Sequence, residues 1–136
     1  MKNSCLICVI SCLSILYYGC SNTSSKDKAG VNLEQVALAD SILTYFQHEQ
    51  FDKIIDHFDD MLKLQMNKEQ LSVIWAQLNV QVGAYTKNEF YGSEKINNVG
   101  DKIIYTCYFG PHKLYYQLIL GKENRVIGLF FKPQQN

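Results

Sequence analysis

Residues 67–91 read NKEQLSVIWAQLNVQVGAYTKNEFY, and the hydrophobic period changes inside this stretch. Before Gly83, the apolar residues Leu71, Ile74, Trp75, Leu78 and Val82 stand three and four places apart, which sets them on one face of an α-helix. Asn67 is an N-cap residue with Gln70 three places on, the pattern in which each side chain bonds the other's backbone N–H. Gly83 is placed to end the helix in a left-handed conformation. Beyond it come runs rich in Tyr, Ile, Val, Phe and Thr, the composition of strands. The change from helix to strand at one glycine decides the fold class.

Downstream, strands are expected near 84–95, 102–109, 113–120 and 125–132. The connections NNVGD, GPH and GKEN are short enough for hairpins, which makes the four strands an antiparallel meander. Gly128 interrupts the last of them and marks a bulge or bend. Upstream, Phe51, Ile54, Ile55, Phe58, Met61 and Leu62 repeat at helical spacing, and Leu33, Val36, Ala37, Ile42, Leu43 and Phe46 approximate an earlier stripe. Three helices followed by four strands is the order of an α+β domain, with helices covering one sheet face.

The N-terminus has a different character. Lys2 precedes an apolar run from Cys5 to Tyr18, shorter than the about 20 helical residues that a bilayer core needs. A basic start, an apolar middle and a small residue before a polar stretch match a secretory signal. The Gly19-Cys20 step resembles a bacterial lipoprotein signal, with Tyr17 standing where an aliphatic residue is usual. That resemblance implies acylation of Cys20, a membrane anchor at this residue, and placement in the bacterial cell envelope. With Ser at position 21, an outer-membrane or periplasmic-side destination is expected. The organisation expected is a signal over 1–19, a flexible tether over 20–32 and a single domain over 33–136. The plainer alternatives are a processed signal with a free cysteine, or an uncleaved anchor.

All 13 acidic residues and every basic residue but Lys2 lie beyond Gly19, scattered and without a long basic stripe. Nucleic acid is therefore not an expected partner, since it demands clustered Lys and Arg. Four of the five cysteines fall in or at the end of the signal, leaving Cys107 alone in the folding part, so no internal disulfide is expected. His48, His57 and His112 have no spacing that gathers three or four metal ligands, and neither a metal nor another cofactor is expected. Cys107 alternates with Ile103, Tyr105 and Phe109 along a strand, the pattern of a buried thiol; His112 is the nearest base for a nucleophile.

The stretches FDKIIDHFDDMLKLQMNKEQLSVIWAQLNVQVGAY (51–85) and NRVIGLFFKP (124–133) resemble a bacterial family of unknown function. The matching positions are Phe58, Asp59, Met61 and Leu62; Leu71, Trp75, Leu78 and Gly83; and Ile127, Gly128, Leu129 and Phe130. The resemblance spans about residues 40 to 133. That family looks like part of the nuclear transport factor 2-like (cystatin-like) superfamily, which implies a curved sheet around a long helix, a cone-like architecture with a conical pocket. Its members occur as lone lipoproteins and as a domain preceding a serine α/β-hydrolase. No G-x-S-x-G elbow stands in this chain, so hydrolysis does not carry over.

Two functions follow. The first is a non-catalytic, lipid-anchored module that binds a small apolar ligand or an envelope protein, or forms a homodimer. Its pocket or interface residues would be Tyr105, Tyr108, Tyr115, Tyr116 and Trp75, with Trp75 also fitting the core. The face carrying Ile104, Thr106, Tyr108, Tyr115, Gln117 and Ile119 is only half polar, which suggests a partner over it or a merely amphipathic face. The second is an isomerase- or hydratase-type enzyme, which needs a carboxylate base in an apolar pocket beside a Tyr. Between Lys102 and Lys122 there is no Asp or Glu, so Glu89, Glu94, Asp40 and Asp52 are the candidates.

Overall fold

The computed structural model describes residues 30–134. The expected signal, Cys20 and most of the tether lie outside the described residues. Four helices, α1 (Leu33–Gln47), α2 (Phe51–Asp56), α3 (Asp60–Gln65) and α4 (Lys68–Val82), precede the strands β1 (Tyr85–Ile96), β2 (Gly100–Phe109), β3 (His112–Leu120) and β4 (Val126–Pro133). The sheet order is β1-β2-β3-β4, and every neighbouring pair is antiparallel. The fold is α+β, with helices leading into an open four-stranded meander.

Helix α4 begins as its sequence dictates. Asn67 Oδ1 accepts from Gln70 N at 2.9 Å, and Gln70 Oε1 accepts from Asn67 N at 2.9 Å. A cap of this kind contributes about 1 kcal/mol. The far end differs from the expected left-handed cap. Gly83 sits at φ 100° and ψ 170°, an extended region that only glycine occupies freely. A Cβ here would also lie 3.3 Å from the Gly110 backbone, so the β2–β3 turn packs directly on the end of α4.

The helix expected over 51–62 is two helices. Asp59 leaves the helical path and caps α3, its Oδ1 accepting from Leu62 N at 2.8 Å. The break lets Val126 donate to His57 O at 2.9 Å while its carbonyl accepts from Asp59 N at 2.9 Å, a parallel bridge onto β4. Local Asx capping and a strand edge together outweigh helix continuation. Phe58 stays in the core, but Met61 turns to solvent. In α1 the buried face holds Gln35, Val36, Ala39, Ile42, Leu43 and Phe46; Leu33 and Ala37 lie outside it. Gln35 is a polar rivet, donating from Nε2 to Asp101 Oδ2 and Asn124 Oδ1, each at 3.0 Å, and so tying α1 to two hairpin ends.

The core is one cluster between the helices and one sheet face, holding Ile103, Tyr105, Cys107 and Phe109 of β2 and Leu114, Tyr116, Leu118 and Leu120 of β3. Phe131 of β4 joins the two layers, with ring centroids 5.7 Å from Phe46, 5.9 Å from Trp75, 6.0 Å from Phe109 and 5.3 Å from Tyr116. Aromatic pairs at such spacing add about 0.5–1.5 kcal/mol each beyond burial. On the opposite face, a Cβ on Gly128 would meet the Phe130 ring at 3.0 Å. The glycine makes room for that ring, while the register shift itself falls between Ile119 and Leu120, opposite Ile127.

Gly83→Ala should cost about 1–3 kcal/mol in urea unfolding, the range for backbone forced into a sparsely populated region. Gly92→Ala, with open space where its Cβ would go, should be neutral or stabilising by up to about 1 kcal/mol. Equal costs at the two positions would contradict the reading of Gly83.

Candidate functional site

The aromatic residues singled out from the sequence do not form one site. Trp75, Tyr105 and Tyr116 are buried in the core, whereas Tyr108 and Tyr115 lie on the opposite sheet face. Trp75 is stacked among rings, 5.0 Å from Phe46 and 5.8 Å from Tyr85 between centroids. Its indole is packing material, as its place on the helical stripe implied.

Three groups in the core could in principle do chemistry. The Tyr105 hydroxyl donates to Val36 O at a long 3.4 Å. Burial, and after it the Asp40 carboxylate, push its pKa well above the usual range. Tyr116 is fully buried and its hydroxyl has no hydrogen-bond partner; burial raises it strongly as well. Burial also lifts the Cys107 thiol from 9.0 to about 12, a hydrogen bond with the Tyr116 backbone opposing slightly. A thiol so placed is protonated at neutral pH and cannot act as a nucleophile. His112 is no base for it, since His112 lies exposed at the β2–β3 turn while Cys107 faces the core.

The four carboxylates named as candidate bases are solvated. Glu89 is exposed on β1, accepting from Lys87 Nζ at 2.8 Å and from the Tyr108 hydroxyl at 2.8 Å; the Lys87 bond leads in lowering its pKa. Glu94 pairs with Lys102 at 2.7 Å, and Asp52 with Lys68 at 3.3 Å. Asp40 is exposed on α1. A general base needs the opposite setting, a desolvated carboxylate with its pKa raised toward neutrality.

The open sheet face explains its half-polar alternation by covering itself. Tyr108 lies between two ammonium groups, with Lys87 Nζ 4.4 Å and Lys113 Nζ 5.2 Å from its ring centroid. Lys132 Nζ lies 5.3 Å from the Phe130 centroid, and Tyr91 packs on Tyr115 at 5.0 Å. These stems and rings leave Thr106 buried and Ile104, Gln117 and Ile119 half-buried within a single chain.

A concave apolar surface lies elsewhere, where α3 and α4 meet β4. A shallow groove of about 400 Å³ is lined by Gln65, Met66, Gln70, Val73 and Ile74. A second, of about 220 Å³, shares Met66 and Ile74 and runs between α4 and the strand, floored by Leu71, Leu78, Leu129 and Phe131. Ile74, assigned to the core by its spacing, is 43% exposed and forms the ridge between the two. Met66 carried no signal in the sequence, since it follows α3 in extended conformation. Among the described residues, no group of three or more His, Cys, Asp or Glu side chains is placed to hold a metal ion.

The family model for a protein of unknown function (DUF3887) matches residues 39–129, from mid-α1 into β4. The chain belongs to that family. No curated protein matches it, and no solved structure does. The matched DUF3887 segment contains nearly all of the core and most of both grooves, while Phe131 and the end of β4 lie just past it.

In the chain from Ser21 onward, Cys107 should resist iodoacetamide at pH 8 until the protein unfolds. Because its pKa is raised in the folded state, its contribution to stability is full below pH 9 and is lost as pH climbs toward 12. Unfolding free energy should fall across that window, less steeply in Cys107→Ala. Tyr116→Phe removes a buried hydroxyl that makes no bond, so it should leave stability unchanged or raise it by up to about 2 kcal/mol in denaturant titration.

Proposed function

We propose that this chain is a non-catalytic interaction module of the bacterial cell envelope, held at a membrane by acylated Cys20 and related to the nuclear transport factor 2-like superfamily. The observation that carries the reading is the open apolar groove along α4 and β4, beside a core that holds no buried carboxylate among the described residues. Small-molecule sites bury most of their ligand in an enclosed cavity. A shallow, open groove suits a protein surface better than a small apolar ligand.

The anchor complements this role. With acylation at Cys20, the polar stretch from Ser21 to Asn32 would separate the anchor from the start of α1 at Leu33. An acyl chain on Cys20 would anchor the protein without spanning the membrane, and among the described residues no helix is long and apolar enough to cross one. The isomerase- or hydratase-type reading keeps one observation in its favour, the Asp40 carboxylate against the Tyr105 hydroxyl, but Asp40 is solvated.

Fractionation of cells making the full-length protein tests the anchor. The wild type should sediment with membranes, and Cys20→Ser should appear in the soluble envelope fraction; a Cys20→Ser protein that stays membrane-bound would sink the anchor. For the groove, an apolar fluorophore should bind the chain from Ser21 onward and lose most of its signal in Ile74→Glu, while Glu89→Gln leaves it unchanged. The reverse pattern would move the site to the open sheet face.

A further inference from the structure

Resting on the interaction-module reading, we propose that the occupant of the α4–β4 groove is a second copy of this chain, docked by antiparallel pairing of β4 with its symmetry mate. Three independent features converge on that occupant.

The first is the contrast between the two sheet edges. Natural edge strands are blunted by charge, bulges or proline to prevent pairing. β1 has these devices: Lys87, Glu89, Glu94 and Lys95 along it, and two register shifts against β2. β4 reads Val126-Ile127-Gly128-Leu129-Phe130-Phe131 before its first charge at Lys132. Val126 is bonded to His57 and Asp59; beyond it, the outer edge of β4 has no ladder partner among the described residues. β4 has devices of its own, a bulge at Ile127 and Lys132-Pro133 at its end, but they flank an uncharged run from Gly128 to Phe131 that is open to pairing.

The second is what lines the groove. A two-fold axis lays a surface on itself, so any charge there faces its own copy. Among the described residues, Glu69 is the one charged residue lining either pocket; Gln65, Asn67, Gln70, Gln77 and Gln81 supply the other polar side chains. A glutamine amide donates and accepts, and therefore pairs with another glutamine where a lysine or glutamate would repel its mate. Charge is denser in the pocket beside α1, which is lined by Glu34, His57, Glu123 and Arg125 among others.

The third is economy. Phe130 is 44% exposed on the open side of β4, Ile74 and Val73 are exposed on α4, and Leu129 and Phe131 are half-buried at the groove floor. One two-fold operation along β4 brings Phe130 to the seam on one sheet face and faces the two α4 helices on the other. The same contact supplies the missing ladder.

Sedimentation velocity of the chain from Ser21 onward, across a concentration series, tests the proposal together with hydrogen exchange. A reversible dimer is expected, with β4 amides more protected in the dimer than in the monomer. Ile74→Glu, and separately Gln77→Glu on the exposed rim, should each weaken dimerisation by about tenfold or more through a buried like charge. Val80→Glu, on the far side of α4, should not. A chain that is monomeric at every concentration, or a dimer indifferent to both groove variants, overturns the second copy as occupant. If that monomer still binds the apolar fluorophore, the interaction-module reading survives; if it does not, both fall.

Discussion

The Phe131 side chain is the contact on which this architecture turns. It reaches from the last strand into rings contributed by α1, α4, β2 and β3, so the chain cannot close its core until its final strand is in place. The helices then have no freedom to slide, because Trp75 and Phe46 must meet that ring from above. Gln35 and the Phe58–Val126 bridge fix the other end of the layer. Packing of this density leaves small tolerance for error in any one element.

That same packing decides where function can reside. The helix-facing side of the sheet is filled with side chains: the Tyr116 hydroxyl is unpartnered, the Tyr105 hydroxyl donates to Val36 O, and the Cys107 thiol is held protonated. The open side is a mosaic of lysine stems and rings that covers itself. Among the described residues, a concave apolar surface lies at the seam between α4 and β4. Phe131 floors that seam while anchoring the core, so anything that docks there touches the same ring that holds the domain together.

Much of this was legible in the sequence because it is local. The capping box of α4, the hairpin connections and the period-two strands depend on residues a few places apart, and their expected limits lie within two residues of those observed. Whatever depended on distant partners was not legible. The break after α2 needs the backbone of Val126, the burial of Gln35 needs Asp101 and Asn124, and the exposure of Ile74 depends on the gap between α4 and β4. The tyrosines were visible as a group, but strand register sent Tyr105 and Tyr116 inward and Tyr108 and Tyr115 outward. Spacing assigns a residue to a face; it does not say whether that face is covered.

The proposed role is that of an anchored partner-binding surface rather than a catalyst. Native mass spectrometry of the full-length protein, extracted in mild detergent from the envelope of its natural host, tests it most directly. Chains that begin at an acylated Cys20 and travel as a non-covalent pair are the expected result. Solitary chains with Cys20 unmodified or removed would contradict it.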